Sequence, residues 1–135
     1  MRVVLDTNVI VSALLIGGGT ADMAVQLVVQ GAVTILADSR ILAEYDEVTA
    51  RPRFGFAEAE RRVFVDALAA LGEPVAARPL RVALPDEDDR ISVEVALAGA
   101  ADAIVTGKVR HFVPRRGALG VAVWTQREFV DHMRH

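Results

Sequence analysis

Met1-Arg2-Val3-Val4-Leu5-Asp6-Thr7-Asn8 is the stretch on which the reading of this chain turns. Val3-Val4-Leu5 is a short apolar, β-branched run. Asp-Thr-Asn interrupts it, and a second apolar run extends from Val9 to Ile16. A short run, a polar break and a longer run predict strand, turn and helix. Asp6 then falls at the carboxyl end of the first strand, the edge of an open α/β sheet where ligands and chemistry collect. A second account is equally open at this point: Asp6 or Thr7 caps the helix that follows.

Outward from that stretch, helix and strand signals alternate. The first helix runs from Thr7 or Asn8 to about Ile16 and stops at Gly17-Gly18-Gly19, whose backbone entropy disfavours a helix interior. Thr20 is expected to cap a second helix that ends at Gly31. Val33 to Leu36 reads as a buried strand. Asp38-Ser39 opens a helix with Ile41, Leu42, Tyr45 and Val48 on one face. Glu44 sits at the edge of that apolar stripe, as a snorkelling flank residue or as something more. Arg51-Pro52-Arg53-Phe54-Gly55 breaks the helix. A long helix from about Ala57 to Leu71 carries Val63, Phe64, Ala67, Leu68 and Leu71. A short strand is expected around Pro74-Val75-Ala76. Pro85-Asp86-Glu87-Asp88-Asp89-Arg90 is an acidic helix start, followed by an apolar face of Ile91, Val95, Ala96 and Ala98. Ala103 to Thr106 is a strand, residues 108 to 112 a turn, and Val121 to Trp124 the last strand. Thr125-Gln126-Arg127-Glu128 is a capping box that opens the final helix. Strands alternating with helices imply a parallel sheet. The expected fold is therefore α/β, a three-layer α/β/α sandwich around a central, mainly parallel sheet of about five strands. It forms a single domain over residues 1–135.

Composition narrows the function classes. A chain of 135 residues suits one domain with a real core. Hydrophobic residues make up 53%, yet no apolar run reaches the roughly 18 to 20 residues of a membrane span. No cysteine is present, which removes disulfides and thiolate metal sites and fits a reducing, cytoplasmic setting. The net charge of −3 argues against a generally basic nucleic-acid binder. Lys108 is the one lysine among fifteen basic residues, so the cationic chemistry is that of arginine, whose fork grips phosphate.

The carboxylates are the informative residues. Asp6 ends the first strand, Glu44 lies on a helix edge, and Asp86, Asp88 and Asp89 cluster before another helix. One account of the cluster is that acidic residues favour a helix N-terminus, by roughly 0.3 to 1 kcal/mol each. Yet one or two would suffice, and several carboxylates brought together need cations to stay ionised. All-oxygen ligands suit Mg²⁺ or Mn²⁺, and His111, His132 and His135 lack zinc-type spacing. Divalent ions held by acids at a sheet rim suit phosphodiester hydrolysis.

At this point the chain resembles a PIN domain, specifically the VapC-like toxins and related toxin components of toxin-antitoxin systems. Val3-Val4-Leu5-Asp6-Thr7-Asn8-Val9 carries the resemblance. So do Glu44-Tyr45 with Glu47-Val48, then Arg51-Pro52-Arg53-Phe54, Asp86 to Asp89 leading into Ala96-Leu97, Gly99 to Gly107, and Val123 to Phe129. The resemblance implies a Mg²⁺- or Mn²⁺-dependent endoribonuclease, a homodimer, and inhibition by a cognate antitoxin. It makes Asp6, Glu44 and Asp89 the catalytic and metal-binding acids. Asp86 is a helper or an alternative register. Asn8 and Thr106 orient the acids or bridge to the metal through water.

One position departs from the family pattern. The fourth acid usually follows the late strand, and here Lys108 stands in its place. Lys108 weakens a second metal site or holds a substrate phosphate, and Arg110, Arg115 and Arg116 offer a basic rim for RNA. The departure keeps a second reading in view, a PIN-type RNA- or partner-binding module with little catalysis. A third, Asp6 as a phosphoryl acceptor, would want an Asp two residues on, where this chain has Asn8.

Overall fold

Parallel pairing of β1 (Arg2–Leu5) with both β2 (Thr34–Ala37) and β4 (Ala103–Val105) puts the N-terminal strand at the centre of the sheet. The computed structural model describes residues 1–81, 84, 87–107 and 120–134. Two further strands, β3 (Glu73–Pro74) and β5 (Ala122–Trp124), complete a five-stranded sheet ordered β3-β2-β1-β4-β5. Every pairing is parallel. The chain moves one way from β1 to β2 and β3 and the other way to β4 and β5. The switch of direction falls between β1 and β4, where such sheets open a crevice at their carboxyl ends.

Among the described residues six α-helices cover the sheet: α1 (Thr7–Leu15), α2 (Thr20–Val29), α3 (Ser39–Thr49), α4 (Glu58–Leu71), α5 (Arg90–Ala98) and α6 (Gln126–Met133). The result is the expected α/β/α sandwich. Val3, Val4 and Leu5 are wholly buried, as are Ile35, Leu36 and Val105. Each such side chain contributes about 1.5–3 kcal/mol of burial. Val9 and Ile10 of α1 are also wholly buried, so they are core residues. No single helix among the described residues is long and apolar enough to cross a membrane.

Several local expectations are corrected. Gly19, not Thr20, is the N-cap of α2, without a side-chain bond. The Thr20 hydroxyl instead meets Arg127. In α4 the inward face is Arg61, Val65 and Leu68, while Val63 and Leu71 are exposed. Arg61 is tolerated inside because Asp46 and Glu58 neutralise it at 2.6 and 2.8 Å. In α5, Ser92, Val93 and Glu94 are buried along with Val95 and Ala96, and Ala98 is exposed. Glu94 accepts hydrogen bonds from Arg40 and the Leu80 amide, both at 2.7 Å. The acids before α5 form a separate 3₁₀ turn, Glu87–Asp89, and the helix itself begins at Arg90.

The β2 side of the sheet ends in the two-residue β3. Its Glu73 pairs with Arg2 of the central strand. The Thr125–Glu128 capping box is formed, each group bonding the other's backbone amide.

Candidate active site

The position of Asp6 follows from strand register. Leu5 pairs with Val105, so the next residues, Asp6 and Thr106, emerge side by side at the carboxyl ends of β1 and β4. The ladder continues one step further, with the Asp6 amide donating to the Val105 carbonyl at 2.9 Å. The Thr106 hydroxyl then donates to Asp6 Oδ2 at 2.9 Å, and the Asn8 amide nitrogen reaches the same oxygen at 2.9 Å. Asp6 Oδ1 accepts from the Thr7 amide at 3.0 Å and from Ser92 Oγ at 3.4 Å. Asp6 is thus the N-cap of α1 and a fixed acid at the sheet edge. The two accounts offered by the sequence are both true of one side chain.

Asn8 is itself fixed. Its Oδ1 accepts the Gly107 amide at 2.8 Å, which commits its amide nitrogen to Asp6 and Thr106. Asn8 and Thr106 therefore both hold Oδ2 of Asp6 by hydrogen bonds.

Helix α3 brings Glu44 to the same place. Asp38 caps the helix by accepting the Ile41 amide at 2.9 Å. Ile41, Tyr45 and Thr49 form its buried stripe, four residues apart, and Glu44 lies on the flank. Glu44 Oε2 accepts the Thr7 hydroxyl at 2.7 Å. The neighbouring Tyr45 donates its phenol hydrogen to the Leu5 carbonyl. Adjacent side chains of α3 therefore grip the residues on either side of Asp6. Burial, followed by the charges of Asp6, Glu44 and Asp38, pushes the Tyr45 phenol well above its ordinary pKa of 10.0. It stays protonated and remains a donor.

Asp89 comes from the junction of the 3₁₀ turn and α5. Arg90 holds that turn through Glu87 and the Leu80 carbonyl. Asp89 is buried, makes no capping bond to α5, and lines the cleft. The cleft measures about 360 Å³ and is bounded by Asp6, Glu44 and Asp89, with Arg51, Arg53 and Phe54 among the residues of its wall.

The three acids thus meet at one cleft. Among the described residues, no group of three or more His, Asp or Glu is gathered closely enough to cage a metal ion. Mg²⁺ does not require a cage. It keeps several waters and is commonly held by one or two carboxylates. The all-oxygen lining of Asp6, Glu44 and Asp89 fits that chemistry and offers nothing to a soft metal.

Asp86, Lys108, Arg110, Arg115 and Arg116 lie outside the described residues. Sequence reasoning missed Ser92, Thr7 and the cleft-lining Arg51, Arg53 and Phe54 as site residues. Ser92 carried no signal, being a small polar residue in an apolar helix. In the sequence the arginines and Phe54 read as a helix break and as part of the family motif, not as cleft lining.

The fold and site together define an α/β domain with an acid-lined cleft at the switch point of a parallel sheet. A model of the PIN domain matches residues 2–110, and the chain belongs to that family. PIN domains are nuclease folds that typically use divalent metals. No curated protein and no solved structure matches the chain.

Proposed function

We propose that this protein is a metal-dependent endoribonuclease that hydrolyses RNA phosphodiester bonds, and that it is the toxin of a toxin-antitoxin pair working in the cytoplasm. The observation that supports this best is the meeting of Asp6, Glu44 and Asp89 at one cleft on the carboxyl edge of the sheet.

Asp6, Asp89 and Glu44 would hold Mg²⁺ or Mn²⁺. When bound, such an ion activates a water and neutralises charge on the attacked phosphate. The protein's own part is positioning. Thr106, Asn8 and the Thr7 amide fix both oxygens of Asp6, so that little reorganisation is needed when substrate arrives. The Thr7 hydroxyl does the same for Glu44. An in-line attack on an RNA phosphodiester would be held in register by this set. Lys108, Arg110, Arg115 and Arg116 remain part of the proposal as phosphate contacts, and Asp86 as a helper acid.

A cognate antitoxin and a homodimer belong to the same reading. Leu15, Ile16 and Val63 are exposed apolar residues. A shallow apolar depression formed by Leu14, Ala59, Glu60, Val63 and Phe64 supports a face between two copies.

The deciding experiment is cleavage of mixed RNA with Mg²⁺, with Mn²⁺ and with chelator, beside Asp6→Asn. Metal-dependent cleavage lost in Asp6→Asn is the expected result. Absence of cleavage by folded wild-type protein would favour the second reading, a catalytically weak RNA- or partner-binding module. One observation favours that alternative: Lys108 stands at the usual fourth-acid position.

A further inference from the structure

Helix α5 is tied to each of the parts that carry an acid. It begins at Arg90, directly after Asp89. Its Glu94 accepts from Arg40, which also bonds Asp38, the N-cap of the helix that carries Glu44. Glu94 and Arg90 take the amide and the carbonyl of Leu80, so α5 is fixed at two points one helical turn apart. The third tie is Ser92, whose hydroxyl lies 3.4 Å from Asp6 Oδ1.

Ser92 is out of place by the rules of an apolar helix. It is 2% exposed, with Val93, Val95 and Ala96 buried around it. Alanine would suit both the helix and the packing at least as well. Asp89 has right-handed helical backbone, φ −84° and ψ −9°, so Ser92, three residues on, shares its face. A serine inside a helix ordinarily turns its hydroxyl back to an earlier carbonyl or out to water. Among the described residues the Ser92 side chain makes no hydrogen bond except the one to Asp6.

The two oxygens of Asp6 are held unequally. Oδ2 takes the Thr106 hydroxyl and the Asn8 amide, both at 2.9 Å. Oδ1 takes the Thr7 amide at 3.0 Å and Ser92 at 3.4 Å, the latter longer than the roughly 2.5–3.0 Å of a full hydroxyl bond. Oδ2 has given its lone pairs to protein donors, and Oδ1 keeps capacity for a cation.

We propose that Ser92 is a positioning residue for the metal site: its hydroxyl keeps Asp6 Oδ1 turned towards α5, the helix that follows Asp89, so that the two acids serve one divalent ion. The inference rests on the metal-dependent nuclease reading and adds a residue to it. A long bond suits this role, because it biases the carboxylate without competing strongly with a cation.

The test is Mn²⁺ titration calorimetry on the full chain, with Asp6→Asn beside it to mark binding at this cleft. Ser92→Ala should weaken Mn²⁺ binding by roughly 10-fold, the low end of the loss when an orienting partner is deleted, since the bond is long. Ser92→Thr keeps the hydroxyl and should stay near wild type. Without metal, the melting temperature of Ser92→Ala should not fall, because alanine is the better helix former. A hydroxyl that served only the fold would give the reverse pattern. In RNA cleavage, Ser92→Ala should need more Mn²⁺ for half-maximal activity, with little change in rate at saturating Mn²⁺.

Wild-type affinity in Ser92→Ala, in a chain whose binding is lost in Asp6→Asn, would overturn the proposal and leave the metal site standing. Equal weakening in Ser92→Ala and Ser92→Thr would make packing responsible and would also overturn it. Wild-type protein that binds neither Mn²⁺ nor Mg²⁺ would overturn this proposal and the nuclease reading together. Mn²⁺ binding that depends on the Ser92 hydroxyl, in a chain that cleaves no RNA, would uphold the positioning role and overturn the nuclease reading.

Discussion

The Thr106 hydroxyl donates to Oδ2 of Asp6 at 2.9 Å, joining residues one hundred positions apart, |i−j|=100, through nothing more than the register of two neighbouring strands. Thr106 is fully buried, so this donor has no competing water. Thr106→Val keeps the shape and removes the donor. It should lower Mn²⁺ affinity and activity by roughly 10- to 100-fold, the usual loss when a partner that orients a ligand is deleted. Titration calorimetry with Mn²⁺ checks this, and unchanged affinity would show that Asn8 alone suffices to orient Asp6.

Tyr45→Phe should destabilise the fold by about 1–3 kcal/mol, because the buried Leu5 carbonyl loses its hydroxyl donor. The midpoint of urea unfolding reads this directly. A pH effect accompanies it. The phenol is held well above 10.0 when folded, so between its unfolded and folded pKa values the native state binds one proton more than the unfolded chain. Its contribution is complete below pH 10 and is lost as pH rises beyond that. The alkaline fall in stability should be shallower in Tyr45→Phe.

Glu94 should govern part of the acid limb. Burial pushes its carboxyl up, but the Leu80 amide and the Arg40 guanidinium outweigh burial and hold it below the ordinary 4.5. A depressed folded pKa gives stability that is present above about 4.5 and lost as pH falls through the lower folded value. Glu94→Gln should flatten that part of the curve. Urea midpoints measured across the acid range would show it, and an unchanged slope would mean that Asp46, Glu58 and Glu87, also held low by arginines, carry the whole effect.

Arg61→Met should loosen α4 from α3 despite its similar length. Arg61 reaches the Asp46 carboxylate and backbone carbonyl as well as Glu58, and methionine replaces none of these bonds. Amide exchange in α4 should accelerate before exchange in β1. Equal protection in both elements would show that packing of Val65 and Leu68 is sufficient.

β1 and Asp6 are legible in the sequence because three apolar residues followed by an acid can be read locally. The parallel sheet is legible for a similar reason, since strands that alternate with helices admit few topologies, whereas the order of its strands comes from the structure. Arg61 and Glu94 are not. Each is a charged residue inside an apolar helix face, and only a partner distant in the chain makes its burial tolerable. An apolar-face reading therefore chooses Val63, which the structure exposes. The 51–56 turn fails differently. Pro and Gly mark the break, but nothing local says that it folds back to wall the cleft.

The two-residue β3 bears on how this chain behaves in a crowded solution. An open sheet edge is a template on which another chain can add a strand. Here the β2 flank is closed by Glu73 and Pro74: a charge tied back to Arg2, and a ring with no amide hydrogen. A neighbouring polypeptide finds too little backbone there to zip onto. For a chain that is 53% hydrophobic, that blunt margin guards against fibre growth and domain exchange along that flank of the sheet.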